Sequence, residues 1–360
     1  MTRLLSLMLI VLLAHPALAD KQAAGTFAKD MANKLAPGDR VVSIYTWEYF
    51  IPDEILAAFE AASGIDVVYT TFSSNEEMLL NLYAERGRFD LLICSDYMVD
   101  IMRGEDGMEY AETIDRRRLP NYENIDAVFQ GWYFDPADVI SIPYAYTVPL
   151  IVYDPEQVDF EVTACADLWR DDFRNGLVVF DDMRNVIGMA QRKLGLSVNE
   201  TDPSNMTAAA AELEALRANI ALYNTDTPYE AMIGGAMAGF MHGMQVVAAQ
   251  LAEPSLAAVF PSEGIGFSLD CMVLAGGAPH MDAAYILVNY LLDGEVSANI
   301  SELIYYGSCN AAAWEYLSEA YTGIEALNPP RELLESAEMI CPLPADVQAL
   351  YDGIWNHMRR

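Results

Sequence analysis

Apolar and polar positions alternate in a regular order from Val41 onward. Residues 41–45 are a short apolar run and predict a strand. Residues 52–63 predict a helix. Pro52 stands near its start, Asp53 and Glu54 occupy the first turn, Ile55, Leu56 and Phe59 share one face, and Gly64 marks its end. Residues 65–72 are rich in β-formers. Ser74-Asn75-Glu76-Glu77 reads as a capping box opening a helix through Leu82. Residues 89–94 form another apolar strand. This β-α-β-α-β order predicts a parallel sheet flanked by helices, an α/β fold. Further on, Ser141-Ile142-Pro143-Tyr144 leads into a strand at 148–153. A strand at 177–180 precedes a helix from about 184 to 194, stopped by Gly195. An Ala-rich helix is expected over 208–222, and short strands at 239–241, 257–260 and 271–275. Helices are expected over 280–292, 296–305 and 346–358. Residues 20–39 are polar and read as a loose leader or a short helix.

Length and composition then change the picture. Of 360 residues, the first 19 read as a secretion signal. Arg3 supplies the positive start, residues 4–13 are almost wholly apolar, and Ala17-Leu18-Ala19 predicts cleavage before Asp20. The apolar run is too short for a typical membrane span. The expectation is an exported, periplasmic protein. The remaining length suits two lobes. With a leader at 20–40, the expected lobes are 41–146 plus 269–314, and 147–268 plus 315–360, with the chain crossing near Tyr146 and Ser268. Such lobes can close on a ligand by hinge motion. Acidic residues number 53 against 20 basic ones. Nucleic acid is therefore a poor partner. The acidic field favours capture of cations, and equally serves solubility. Export permits disulfides among Cys94, Cys165, Cys271, Cys309 and Cys341, but an odd count leaves one thiol over. A Cys309–Cys341 bridge is the pairing expected, with Cys94 buried in its strand.

Aromatic–carboxylate clusters stand where the predicted strands end: Trp47-Glu48-Tyr49-Phe50, Ser95-Asp96-Tyr97, Asp181-Asp182, Phe267-Ser268-Leu269-Asp270 and Tyr305-Tyr306. Ligands of open α/β folds sit beyond the carboxyl ends of strands. Carboxylates there pair with ammonium groups, and aromatic faces hold cations and methylene chains. The pattern points to a receptor for a small cation. Each member also has a plainer reading. Trp47 could cover a helix start, Glu48 could be solvated, and Ser95 and Asp182 could merely cap helices. Tyr305 could pack in the core. Asp270, bracketed by apolar residues, needs a partner if buried. Tyr305 and Tyr306 with a histidine and a carboxylate would suit ferric iron; of the histidines, His280 and His357 read as surface residues. No G-x-S-x-G, H-E-x-x-H or P-loop occurs, so no enzyme class is indicated.

Several stretches, in order and spacing, resemble the periplasmic spermidine/putrescine-binding proteins of bacterial ABC importers. They are Tyr45-Thr46-Trp47-Glu48-Tyr49 with Ile51-Pro52, Thr71-Phe72-Ser73-Ser74-Asn75-Glu76, and Phe89-Asp90-Leu91-Leu92 through Ser95 and Tyr97. Ser141-Ile142-Pro143-Tyr144, Ala166-Asp167-Leu168-Trp169, Asp181-Asp182 with Arg184, and Arg192-Lys193-Leu194-Gly195 continue the series. The resemblance implies a two-lobed type II periplasmic binding fold, each lobe a mostly parallel sheet flanked by helices, with a ligand cleft between lobes. It implies a monomer that delivers a polyamine to a membrane permease, with no cofactor and no catalysis. Trp47, Ser95, Tyr97, Asp182, Asp270 and Tyr306 keep the residue types of that family's pocket. His242 and Ser268 stand where tryptophans are usual, Asn185 where a glutamate is common, and Glu48 and Phe50 replace a hydroxyl residue and a tyrosine. The competing expectations are a ferric or amino-acid-like ligand, a sensory role, or an exported enzyme using the same groups.

Overall fold

A computed structural model describes residues 22–104, 110–264 and 266–359. The expected signal peptide and its cleavage before Asp20 lie outside these residues, as does Ile265 in the glycine-containing turn before Asp270. The chain begins with α1 (Gln22–Ala32), β1 (Val41–Trp47), α2 (Asp53–Ser63), β2 (Asp66–Phe72), α3 (Asn75–Ala84), β3 (Leu91–Ser95), α4 (Asp96–Arg103) and β4 (Ile142–Thr147). Next come β5 (Pro149–Tyr153), β6 (Leu177–Val179), α5 (Met183–Lys193), α6 (Pro203–Leu216), β7 (Ile220–Tyr223), α7 (Pro228–Ile233), β8 (Ala238–His242), α8 (Gly243–Ala252) and β9 (Ala257–Val259). They are followed by β10 (Ser268–Leu274), α9 (Met281–Leu291), α10 (Gly294–Ile304), β11 (Gly307–Ser308) and α11 (Glu319–Thr322). The chain ends with α12 (Arg331–Glu335) and α13 (Ala345–Met358). These elements form two compact units. One takes the described residues up to Tyr146 with Leu269–Thr322; the other takes Thr147–Ser268 and the chain from Gly323. Among the described residues no helix is long and apolar enough to cross a membrane.

The first unit is built on a sheet ordered β11-β4-β10-β3-β1-β2. β1 runs parallel to β2 and β3, the part that the β-α-β-α-β alternation predicts. β10 enters antiparallel to β3, and β11 antiparallel to β4, so the sheet is mixed. Ile44, Leu91 and Ile93 of the strands pack with Phe59 of α2 and Tyr290 of α9 in one apolar core. Of the two readings of residues 20–39, the short helix is the one found in the described part. α1 buries Ala24, Ala28 and Ala32, one residue per turn on one face, within that core. Residues 315–322, expected with the other lobe, group with this unit; buried Tyr321 donates its hydroxyl to the Tyr306 carbonyl at 2.6 Å. The capping at α3 is displaced by one residue from the expected box. Ser74 Oγ accepts from Glu77 N (3.1 Å), but the Glu77 carboxylate accepts from Ser73 N (2.9 Å).

The second unit has a sheet ordered β7-β6-β8-β5-β9. β6 is parallel to β7 and β8, and β5 is antiparallel to β8 and β9. The Ala-rich helix expected through 222 ends at Leu216 instead. Asn219 turns the chain there by donating its side-chain amide to the Leu168 (2.9 Å) and Arg170 (2.8 Å) carbonyls, and Ile220–Tyr223 become the edge strand β7. α8, unforeseen, opens at Gly243, where a β-carbon would stand 2.5 Å from the Ala326 carbonyl oxygen.

Two further expectations are corrected. All five cysteines carry thiols, so the Cys309–Cys341 bridge is not formed. Cys309 is fully buried in the first unit, whereas Cys341 belongs to the second and donates its Sγ–H to the Met339 carbonyl. His280 is not a plain surface residue. Its backbone N–H donates to Asp90 at 2.7 Å and its Nδ1 lies 3.2 Å from the same carboxylate, which is fully buried. Asp90 also accepts from Ser43 N (2.8 Å), so two neighbours, Ser43 and His280, hold this core carboxylate through three contacts.

Candidate ligand-binding site

A polar cluster in the first unit lies where β1, β3 and β10 end or begin. The β3–β10 register sets Ser95 opposite Asp270. Asp270 Oδ1 accepts the Ser95 hydroxyl at 3.1 Å and the Trp47 indole N–H at 3.2 Å. Ser95 sits at the N-cap position of α4, but its hydroxyl makes no cap bond and goes to Asp270. Trp47, half-buried, meets Phe72 edge-on at 4.5 Å. Its indole is therefore a hydrogen-bond donor to the carboxylate as well as an apolar surface.

Asp96, at the first position of α4, is the carboxylate of the Ser95-Asp96-Tyr97 cluster, for which no individual role was expected. It is buried, and its two oxygens accept from Tyr97 N (2.6 Å) and Leu269 N (3.2 Å). Among the described residues, every donor to Asp96 and Asp270 is neutral: an indole, a hydroxyl and two backbone amides. Burial pushes Asp96 up to about 7, with the Asp270 charge adding to it and the two amides opposing. Burial likewise pushes Asp270 up to about 6, against the hydrogen bonds from Ser95 and Trp47. Two neighbouring carboxylates, both penalised by burial, form a place where positive charge is favoured.

The surrounding aromatic groups are tied to the scaffold. The Tyr97 hydroxyl donates to Glu76 (2.9 Å) and accepts from Asn75 Nδ2 (3.0 Å), while Asn75 Oδ1 accepts from Ser95 N (3.3 Å). Burial foremost pushes the Tyr97 phenol up to about 12. Tyr97 nevertheless remains 37% exposed. Phe50 is buried, edge-on to Tyr306 at 5.2 Å and 5.4 Å from Tyr144, whose hydroxyl donates to the Phe50 carbonyl. It is a core residue supporting Tyr306. Glu48 and Tyr49 are exposed, and Tyr49 takes a left-handed φ of 61° in the turn leaving β1. Tyr305 also adopts a left-handed φ of 56°, ending α10.

The second unit places its candidates at the starts of α5 and α8. Asp182 is the N-cap of α5: Oδ1 accepts from Asn185 N (2.8 Å) and Asn185 Nδ2 (2.9 Å). The helix-capping reading of Asp182 thus describes its bonds. His242 ends β8 with its ring 4.7 Å from that of Phe180, and its backbone N–H donates to Gln245. Its Nδ1 is buried and meets no hydrogen-bond partner among the described residues. Burial lowers His242 to about 4, with the Asp182 charge opposing, so the ring is neutral at pH 7. Ser268 is the half-buried first residue of β10. Arg184 is structural, donating to the Cys341 carbonyl and to Asn199 (both 2.8 Å).

A mixed α/β chain in two units, with carboxylates and aromatic rings gathered at strand ends, is the architecture of a solute receptor. The sequence pattern of the bacterial extracellular solute-binding proteins matches residues 54–323, and the chain belongs to that family; it is a binding protein, not an enzyme. Among its relatives, the spermidine/putrescine-binding periplasmic protein of Escherichia coli (strain K12) is 35% identical over 320 residues, covering 88% of this chain and 91% of the relative. That of Salmonella typhimurium is 33% identical over 341 residues, covering 94% and 97%. A solved structure of the spermidine/putrescine ABC transporter substrate-binding protein PotD from Streptococcus pneumoniae superposes with a TM-score of 0.84. It shares 28% sequence identity and covers 89% of this chain and 98% of its own.

Proposed function

We propose that this chain is the periplasmic solute-binding component of an ABC importer and that its ligand is a polyamine of the putrescine or spermidine kind. The observation that carries this reading is the Asp270–Asp96 pair: two buried carboxylates whose donors among the described residues are all neutral. An ammonium group at Asp270 supplies the missing charge. Trp47, Tyr97 and Tyr306 pack on the methylene chain, Ser95 orients the carboxylate, Phe50 backs Tyr306, and exposed Glu48 adds to the acidic approach. From the second unit we assign Asp182, Asn185, His242 and Ser268 to the ligand, His242 as a neutral ring in place of a stacking tryptophan. The names of the relatives support the ligand class. In this reading the mature protein is a monomer released by cleavage before Asp20, and the loaded form docks on a membrane permease.

The test is a thermal-shift screen of the mature protein against putrescine, spermidine, amino acids and ferric salts, followed by calorimetry. A ligand that binds only the folded state raises the melting temperature by mass action. A shift with a polyamine supports the proposal. Silence with every polyamine and a shift with another solute would overturn the ligand assignment.

A further inference from the structure

The antiparallel pairing of β3 with β10 sets Cys271 directly opposite Cys94, one step along the register from the Ser95–Asp270 pair. Directly opposed residues project from the same face of a sheet, with β-carbons about 4.5–5.5 Å apart. Facing α-carbons of an antiparallel pair lie about 4.5 or 5.5 Å apart, and a disulfide accepts roughly 4.4–6.8 Å, so either kind of pair meets the requirement. Both residues are fully buried in the middle of the sheet, and both carry thiols in this structure. The family is extracellular, where thiols meet oxidants.

We propose that Cys94 and Cys271 join in a cross-strand disulfide in the exported protein. Each thiol loses a proton, the new S–S bond takes up the two sulfurs, and two electrons pass to a disulfide donor, whose own S–S bond breaks to give two thiols. Such a donor is a protein or small-molecule disulfide of the oxidising compartment. Burial raises both thiols well above their ordinary range, which suppresses the nucleophilic thiolate once the sheet is complete. Exchange therefore belongs to the stage before β10 seats beside β3, and the finished bond is shielded from reductants. Closing the bond draws the two β-carbons together by about 1 Å. It thereby fixes the two strands that carry Ser95 and Asp270. Cys309, buried in the same unit and near enough to Cys271 to raise its thiol, is the rival partner, but it lies outside the strands and has no register partner in β3 or β10.

The experiment folds the full mature chain with oxidised glutathione and, separately, with a reductant. Each sample is denatured in an alkylating reagent, then reduced, labelled with a second reagent and mapped by peptide mass spectrometry. The expected result for the oxidised sample is that Cys94 and Cys271 alone take the second label, their linked peptides gaining two hydrogen atoms on reduction. A Cys309→Ser variant keeps that link. The oxidised form melts several degrees above the reduced one, as a cross-link between distant segments requires. First-label modification of both Cys94 and Cys271, or linkage of either to Cys309, overturns the proposal. Equal melting temperatures of the two forms would overturn the claim that the bond fixes the strands.

Discussion

Asp270 in the first unit and Asp182 in the second both stand at strand ends beside aromatic rings, yet their surroundings differ. Asp182 is absorbed into the scaffold: one oxygen takes two donors from Asn185 and closes the start of α5. Asp270 receives an indole and a hydroxyl on Oδ1, and among the described residues no donor reaches Oδ2. It lies buried beside a second carboxylate. One carboxylate stabilises a helix; the other is held in a state that a bound cation would relieve. Residue type and position at a strand end are shared, so the partners distinguish the roles.

The sharpest way to break this comparison is at Asp270. Asp270→Asn keeps an acceptor for Ser95 and Trp47 but removes the charge. Calorimetry should show putrescine or spermidine affinity reduced at least tenfold, on the order of the 1.5–3 kcal/mol of a charged hydrogen bond. Unchanged affinity would remove Asp270 from the site. Proton competition should come next in size. With Asp270 at about 6 and Asp96 at about 7, affinity should hold above pH 7 and fall as pH drops through that window. The limiting slope is about tenfold per pH unit for each proton taken up.

Asp182 gives the opposite expectation. Asp182→Ala should cost about 1 kcal/mol of stability by uncapping α5, read as a lower melting temperature without ligand. Asp182→Asn keeps the cap acceptor, so any loss of polyamine affinity in that variant reports the charge alone. Trp47→Phe should weaken ligand binding by only a few-fold, by removing one donor to Asp270 while keeping an aromatic face. The smallest expected effect concerns the free protein. Asp96 and Asp270 have folded values raised above the ordinary 3.8. Between about pH 4 and 7 the folded state therefore binds more protons than the unfolded one, and these groups make stability fall as pH rises. Asp96→Asn should flatten that part of the melting-temperature profile; an unaltered slope would show that Asp96 does not titrate in the window.

Much of the first unit was legible because its signals are local. Pro52 with Asp53 and Glu54 starts α2, Gly64 ends it in a left-handed conformation, and the strands on either side are plain apolar runs. The insertion of β10 between β3 and β4 was not legible, since it depends on pairing across long sequence separation. The same holds for Asp96: its bond from Leu269 spans 173 positions, and only its place between Ser95 and Tyr97 hinted at it. Asn219 shows a different failure. The Ala-rich composition favours continuing the helix, but two carbonyls of a distant segment capture its side chain and end it. Asp182 was ambiguous because a capping carboxylate and a ligand carboxylate look alike in one dimension.

The position of β10 sets an order of events as the chain folds. The strand occupies the middle of the first sheet, yet it follows the whole segment Thr147–Ser268. Until it arrives, β3 and β4 have no neighbour to join them, and α1, the earliest described element, waits for α9 to complete its core. Contacts between such distant segments form slowly because the intervening loop must first be closed. The first unit is therefore finished late, only after the other unit's main segment has been made.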